Sequence, residues 1–474
     1  MYSRANTIAM NDICINNSYN QIKTKYIPDM SGKTASPVST TDFDEIIKVM
    51  WGNEVKEDVF KRWKQGFRFS PDEPTALLQY EGGPCAVIAP VQAFILKSLI
   101  SDCSKRDSNW HELDPEIVSK LLIRALCEIL QQAYSGTGNK FVLVYMNDAD
   151  NSNQEKKASV DSEEEKIQEL LPSNDHAHFH SQLRTLSFES SEEVEAYYLE
   201  RIDMLRETFG VLLFLYSVIC TKGVEALHSE ITDPAEPFID CEYGYGSQSL
   251  INLMITGRAV AHVWNNDQDI CGLKLKGINK QSSVGFLTLL EHLRYCEVGS
   301  FLKNPINPVW VLGSETHLTV LFSFEKKLVS AETPNDVARR VFKSFDPEGR
   351  NFIPADLLQD VMSALDLVAD PEYVDIMKKK LDSENLGIIL LPAFMDEFFP
   401  EEAVNIPDTF TLHHYNGLIR SCLNKKVKYQ EGHAILLETN VLSISENNGM
   451  QTCLQTKWPS IEVQWSSGIT PSLN

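Results

Sequence analysis

A tight loop that leads directly into a long apolar segment is the most constraining feature of this chain. Residues 79–85 read Gln-Tyr-Glu-Gly-Gly-Pro-Cys, and two glycines followed by a proline favour a sharp turn. Residues 86–100 then place apolar side chains at helical spacing: Val87, Ile88, Val91, Phe94, Ile95 and Leu99. The pattern predicts a helix that buries one face and carries Cys85 in its first turn.

Cys85 is the strongest candidate nucleophile in the sequence. Unpaired N–H groups and the positive end of the dipole at a helix N-terminus stabilise a thiolate, the nucleophilic form of cysteine. Gly82 and Gly83 allow a substrate backbone to approach closely. The amide of Gln79 is a candidate donor to an oxyanion. The alternative is that Cys85 is one of the inert, buried cysteines common in intracellular proteins.

A histidine near the start of a predicted strand is the candidate base. Residues 308–312 and 316–324 predict two strands, with a Gly-Ser-Glu turn between them. His317 opens the second strand, on the face opposite to the apolar residues Leu318, Val320 and Phe322. An isolated histidine at a strand end is usually structural. Paired with a cysteine on an early helix, it matches the order found in papain-type cysteine proteases.

Charge and cysteine spacing exclude several classes of protein. The 43 basic and 66 acidic residues give a net charge of −23, which argues against nucleic acid or an anionic membrane as the main partner. None of the 10 cysteines forms a C-x-x-C pair, so a zinc ribbon and a dithiol redox motif are excluded. No secretory signal opens the sequence, so we expect an intracellular protein of the nucleus or cytoplasm. The thiol chemistry expected of Cys85 and His317 needs no metal or cofactor.

Composition and pattern divide the chain into four predicted parts. Residues 1–40 are a disordered tail, and residues 41–334 form a core with a flexible acidic insert near 147–180. Residues 335–400 form a helical module, and the strands predicted within 401–474 complete the core. Asp114 and Ser190 are predicted N-caps, and residues 284–296 predict a further amphipathic helix.

Two groups of residues raise the possibility of metal binding. Residues 346–357 and 382–393 resemble EF-hand loops, but Leu357 and Ala393 replace the bidentate glutamate at position 12. The favoured interpretation is an EF-hand-like module that has lost its ion, and the alternative is a calcium sensor. A second group, His176, His178 and His180, is either a metal clip or, as we favour, three solvated side chains.

The sequence around Cys85 and His317 resembles the MINDY family of deubiquitinases. Residues 79–92 are similar to the catalytic loop of that family, and residues 313–320 are similar to its histidine strand. Residues 209–217 and 243–253 agree as well, as does the EF-hand-like insert.

The resemblance implies an α+β fold that is a papain-like cysteine protease variant with an EF-hand-like helical insert. It also implies hydrolysis of lysine-48-linked polyubiquitin on proteins (the linkage is numbered in ubiquitin). Cys85 would be the nucleophile, His317 the general base and Gln79 the oxyanion donor. The residue that orients His317 is not fixed by any motif. The alternative function is a catalytically silent scaffold that binds ubiquitin.

Overall fold

The computed structural model describes most of the chain. The described residues are 40–102, 110–134, 140–147, 176–270, 272–329, 334–346, 350–400, 407–437 and 448–474. Almost all of the predicted disordered tail, and most of the predicted acidic insert, lie outside these residues.

Helices make up most of the regular structure. They are α1 Thr40–Trp51, α2 Glu57–Trp63, α3 Cys85–Asp102, α4 Pro115–Ala133, α5 His176–Gln182, α6 Ser191–Glu200, α7 Ile202–Arg206, α8 Gly210–Lys222, α9 Val224–Glu230, α10 Gln248–Thr256, α11 Leu289–His292, α12 Ser300–Lys303, α13 Pro334–Ser344, α14 Leu358–Ala364, α15 Pro371–Leu381, α16 Leu391–Phe398 and α17 Gly449–Gln455. Asp114 and Ser190 accept hydrogen bonds from the first turns of α4 and α6, so both predicted N-caps are confirmed.

The strands form one large sheet and three two-stranded ribbons. They are β1 Phe141–Met146, β2 Leu183–Phe188, β3 Gln268–Ile270, β4 Leu273–Leu275, β5 Gly285–Thr288, β6 Val309–Gly313, β7 Leu318–Phe322, β8 Phe352–Pro354, β9 Ile388–Leu390, β10 Thr409–Tyr415, β11 Gln430–Leu436 and β12 Ile461–Trp465. The large sheet has the order β12-β11-β10-β7-β6-β5, and only β5 and β6 run parallel. The α+β class predicted from the sequence is confirmed.

The helix predicted at residues 284–296 is wrong. Residues 285–288 form β5, which pairs in parallel with β6, and only Leu289–His292 are helical. The strand is buried on both faces. A short apolar run of this kind has no polar side to show a period of two, so periodicity cannot separate it from a buried helix.

Helix α3 is the central element of the largest hydrophobic cluster. It packs against α4 and α10 on one side and against β6 and β7 of the sheet on the other. Among the described residues α3 is the single unbroken helix long and apolar enough to cross a membrane, but 83% of that stretch is buried within the protein. Its all-round apolarity therefore follows from its central position in the core.

Residues 334–400 build a separate hydrophobic cluster. Ile353 on β8 faces Ile389 on β9 across a short antiparallel ribbon, and α13 to α16 pack around it. Each half contains a helix, a loop, one strand of the ribbon and a second helix. Asn351 and Gly387, at the sixth position of the two loops, both have left-handed backbone, with φ of 60° and 75°.

Gln92 is a buried polar residue of α3 that holds the segment leading to the loop before Cys85. Its Oε1 accepts from the Leu77 N–H at 2.7 Å, and its Nε2 donates to the Thr75 carbonyl at 3.0 Å and to the Tyr429 hydroxyl at 3.1 Å. Every polar atom of this fully buried amide therefore has a partner.

We expect Gln92→Leu to lower the free energy of unfolding by about 1–3 kcal/mol, because the Leu77 N–H and the Thr75 carbonyl lose their buried partner. Urea denaturation measures this loss. Ser101→Ala, which removes an exposed hydroxyl near the end of the same helix, is the control and should change stability little. Equal stability of the two variants would contradict the prediction.

Candidate active site

The structure places Cys85 at the first residue of α3, directly after Pro84 and two residues after Gly83. Gly83 has φ of 121°, and a Cβ atom there would lie 2.6 Å from the Gly244 carbonyl oxygen and 2.9 Å from the Trp63 indole nitrogen. Only glycine fits this position without displacing its neighbours. The Cys85 Sγ lies 3.5 Å from the Gly83 carbonyl oxygen. The turn thus directs the thiol to one defined place.

The Gly-rich loop at residues 243–247 packs against this turn. Arg62 donates to the Tyr243 carbonyl at 2.7 Å, and the Trp63 indole donates to the Gly244 carbonyl at 2.9 Å. A Cβ on Gly246 would lie 2.2 Å from the Ala86 Cβ, so this glycine lets the loop approach α3. The loop therefore packs directly against the turn that carries Cys85.

Gln79 lies beside Cys85 and is held on both sides of its backbone. Its N–H donates to the Gly417 carbonyl at 2.8 Å, and its carbonyl accepts from the Ile419 N–H at 3.2 Å. Its side-chain Nε2 donates to the Glu81 carbonyl at 2.7 Å, and the amide lies close enough to the Cys85 sulfur to lower the pKa of that thiol. Gln79 is only 1% exposed. The amide is thus fixed next to the thiol.

His317 lies directly before β7 and next to the same thiol. The backbone of Leu318, the residue that follows it, lies close enough to the Cys85 sulfur to lower the pKa of that thiol. The His317 Nε2 lies 3.0 Å from Asn416 Oδ1, inside the protein. Because Oδ1 accepts only, Nε2 carries the proton in the neutral imidazole and Nδ1 keeps its lone pair. The three residues singled out in the sequence therefore come together in one place.

Asn416 is the site residue that sequence reasoning missed. It follows β10 directly, and its Oδ1 accepts from the Leu418 N–H at 2.9 Å as well as from His317. The available signal was weak: an Asn-Gly pair just after the strand predicted at residues 410–415 reads as an ordinary turn. Its closeness to His317 depends on the pairing of β10 with β7, which the sequence does not show.

Burial dominates the electrostatics of the site. It raises the pKa of the Cys85 thiol, although backbone hydrogen bonds from Leu318, Gly83 and Ala86 and the Gln79 amide oppose that rise. Burial also lowers the pKa of His317, the hydrogen bond to Asn416 opposes that effect, and the nearby charge of Arg420 adds to it. The closed site therefore favours a neutral thiol beside a neutral imidazole. The expected thiolate is not favoured here, because desolvation outweighs the helix terminus.

The predicted metal-binding groups have other partners. His176 Nδ1 lies 3.0 Å from Glu57, and His180 Nε2 lies 2.6 Å from the Tyr216 hydroxyl. These two histidines are therefore structural rather than simply solvated. The described part of the chain contains no group of three or more His, Cys, Asp or Glu residues arranged to hold a metal ion.

The first carboxylate of each EF-hand-like loop accepts hydrogen bonds from backbone N–H groups. Asp382 accepts from the Leu386 and Gly387 N–H groups at 2.7 Å each, and Asp346 Oδ2 accepts from the Asn351 N–H at 2.7 Å. The other carboxylate oxygen of Asp346 is buried without a hydrogen-bond partner among the described residues. Leu357 and Ala393 supply no oxygen at position 12.

We expect alkylation of Cys85 by iodoacetamide to rise with pH, with a midpoint above the ordinary thiol value of 9.0, because burial raises the pKa of this thiol. Peptide mass spectrometry of the ubiquitin-free protein measures it, with the exposed Cys241 as internal reference for reagent access. A midpoint below the ordinary value would show that a thiolate is already favoured in the resting protein.

Comparison with known proteins identifies the family. The model described as "Deubiquitinating enzyme MINDY-3/4, conserved domain" matches residues 48–342. The chain is 51% identical over 467 residues to a Drosophila melanogaster protein named "Ubiquitin carboxyl-terminal hydrolase MINDY-3 homolog", covering 91% of this chain and 82% of that one.

Vertebrate relatives agree. The chain is 47% identical over 442 residues to the Homo sapiens "Ubiquitin carboxyl-terminal hydrolase MINDY-3", covering 91% and 99% of the two chains. It is 29% identical over 280 residues to the Mus musculus "Probable ubiquitin carboxyl-terminal hydrolase MINDY-4", covering 57% and 35%. No solved structure matches. The resemblance seen at residues 79–92 and 313–320 is confirmed, and the chain belongs to the MINDY-3/4 family of deubiquitinating enzymes.

Proposed function

We propose that this enzyme is a thiol-dependent deubiquitinase that hydrolyses isopeptide bonds in lysine-48-linked polyubiquitin on proteins. The convergence of Gln79, Cys85, His317 and Asn416 in one buried site carries the proposal. A cysteine on a helix with a histidine held by an asparagine is the arrangement of papain-like proteases, so we assign the core to that class. The linkage preference is inferred from the family resemblance of the two motifs.

The first step is attack by the Cys85 sulfur. His317 Nδ1 takes the thiol proton, and the sulfur then forms a bond to the carbonyl carbon of the isopeptide at the ubiquitin C-terminus. The carbonyl π electrons move to oxygen and create an oxyanion. The Gln79 amide and the Cys85 backbone N–H donate to it, because the first N–H groups of α3 have no partner within the helix.

The second step releases the two products. His317 gives its proton to the lysine nitrogen as the C–N bond breaks, so the amine leaves neutral and a thioester remains on Cys85. Water gives a proton to His317 and adds to the thioester carbonyl, and the C–S bond then breaks. The Cys85 sulfur takes the proton back from His317, and the ubiquitin C-terminus leaves as a carboxylic acid that ionises in water. Asn416 holds Nε2–H throughout, so that Nδ1 is the nitrogen that exchanges the proton.

Access to the thiol must change during this cycle. Cys85 is 4% exposed and His317 5%, so a substrate carbonyl does not reach the sulfur in the closed site. Ubiquitin binding is proposed to open the site near Gly82 and Gly83, where two substrate glycines fit a narrow channel. The same closure favours the second candidate, a scaffold that binds ubiquitin without cutting it.

The proposal extends to the cellular location of the enzyme and to the kind of partner that it binds. A thiol nucleophile must stay reduced, which suits the nucleus or the cytoplasm. The net charge of −23 suits a protein partner rather than nucleic acid or an anionic membrane surface.

We expect the wild-type enzyme to release ubiquitin from lysine-48-linked chains and Cys85→Ala to release none, because only the thiol forms the acyl intermediate. A ubiquitin probe with a C-terminal electrophile should label Cys85, as mapped by mass spectrometry. Cys241→Ala, at an exposed position, is the control and should cleave normally. Binding of the probe without labelling would support the scaffold, and equal cleavage by both proteins would exclude the thiol mechanism.

We expect His317→Ala to nearly abolish single-turnover hydrolysis, because the reaction loses its base and its acid. Gln79→Ala should cost about 3 kcal/mol of barrier, since one oxyanion donor is lost while the nucleophile and base remain. Binding constants for ubiquitin and melting temperatures of both variants should stay near wild type. If His317→Ala unfolds the protein, the histidine is structural; if it turns over normally, another residue is the base.

A further inference from the structure

Residues 472–474 contact Asn416 directly and also contact the turn that precedes His317. The backbone carbonyls of Ser472 and Asn474 accept hydrogen bonds from Asn416 Nδ2 at 3.3 and 3.5 Å. The side-chain Oδ1 of Asn474 accepts from Ser314 Oγ at 2.5 Å and from Thr316 Oγ1 at 3.3 Å. One short segment thus meets Asn416 and the turn that carries His317.

The contacts to Asn416 fix which end of its amide faces the histidine. Carbonyl oxygens only accept, so the Ser472 and Asn474 carbonyls hold the NH2 group of Asn416. The oxygen is then directed to His317 Nε2 and to the Leu418 N–H. In the flipped amide an N–H donor would face the Nε2 proton, and the imidazole would lose its acceptor.

The contacts to the turn hold the backbone of His317. Ser314 Oγ accepts from the His317 N–H at 3.0 Å and from the Thr316 N–H at 3.3 Å. Its own proton has two acceptors within reach, Asn474 Oδ1 and the His317 carbonyl at 3.1 Å, and the contact to Asn474 is the shorter. Asn474 therefore supports both members of the pair. Its side chain accepts hydrogen bonds from the turn before His317, and its carbonyl accepts one from Asn416.

The segment is anchored in the core. Leu473 is only 6% exposed and belongs to the second hydrophobic cluster, which lies between the sheet and α17. Ser472 and Asn474 also bond to each other, through Ser472 Oγ to the Asn474 carbonyl at 2.8 Å and the Asn474 N–H to Ser472 Oγ at 3.0 Å. The exposed neighbour Ile469 makes no such contact with the pair.

We propose that residues 472–474 are a positioning element for the reaction. They hold Asn416 and the Ser314–Thr316 turn so that His317 keeps Nε2–H on Asn416 and presents Nδ1 to the Cys85 thiol. They touch no reacting atom. The inference rests on the proposed thiol mechanism.

Removal of the segment tests it. A protein that ends at Pro471 should show kcat lowered by about 10–100-fold, as expected when a reacting group is misplaced by about an ångström, with KM within about threefold of wild type. Asn474→Ala should give a smaller loss of kcat. Asn474→Asp keeps an acceptor oxygen for Ser314 and Thr316 and should recover most of it. Ile469→Ala is the matched control in the same stretch and should leave both constants unchanged.

A double-mutant cycle separates positioning from general destabilisation. In the Asn416→Ala background, removal of residues 472–474 should lower kcat by clearly less than it does in the wild type, because the part of the effect that acts through Asn416 is already lost and only the contacts to the Ser314–Thr316 turn remain. Additive losses, a wild-type kcat in the shortened protein, or a rise in KM alone would overturn the proposal. If melting temperatures show that the shortened protein is unfolded, the Asn474→Ala and Asn474→Asp pair decides. Failure of the thiol mechanism is recognised separately, by chain cleavage that survives Cys85→Ala.

Discussion

The site depends on backbone hydrogen bonds between the segment before Cys85 and the chain that follows β10. Gln79 exchanges backbone hydrogen bonds with residues 417–419, and the Tyr415 hydroxyl donates to the Leu77 carbonyl at 2.7 Å. This pairing joins the loop before helix α3 to the chain just beyond the end of β10, so Gln79 and Asn416 are held on adjacent segments. Helix α3 also packs directly on β7, so packing places the thiol near the histidine and the pairing adds Gln79 and Asn416 beside them.

Burial fixes this arrangement and also disfavours the charged forms of its side chains. Cys85, His317 and Gln79 are each 5% exposed or less, which fixes their geometry and raises the cost of any charge among them. The hydrogen bonds to the sulfur offset only part of that cost. The protein therefore holds a preorganised site in which burial disfavours the charged forms of the thiol and the imidazole.

The module at residues 334–400 is held together by packing and by hydrogen bonds within its loops. The carboxylates of Asp346 and Asp382 accept hydrogen bonds from the N–H groups of Asn351, Leu386 and Gly387. The Ile353–Ile389 contact joins the two halves, and a separate apolar cluster fills the space between the helices. The relation of the two halves therefore depends on packing.

Local features of the chain were determined by the sequence alone. Gly-Gly-Pro before an apolar helix marked Cys85, Asp114 and Ser190 marked two helix starts, and alternation marked the strand after His317, because each signal is carried by residues close in the chain. Tertiary structure decided the rest. Asn416 becomes a partner of His317 only because β10 pairs with β7. The start of the segment predicted as a helix forms strand β5 because it pairs with β6. The pKa of Cys85 rises because distant residues cover it, and no local pattern records how deeply a helix terminus will be buried.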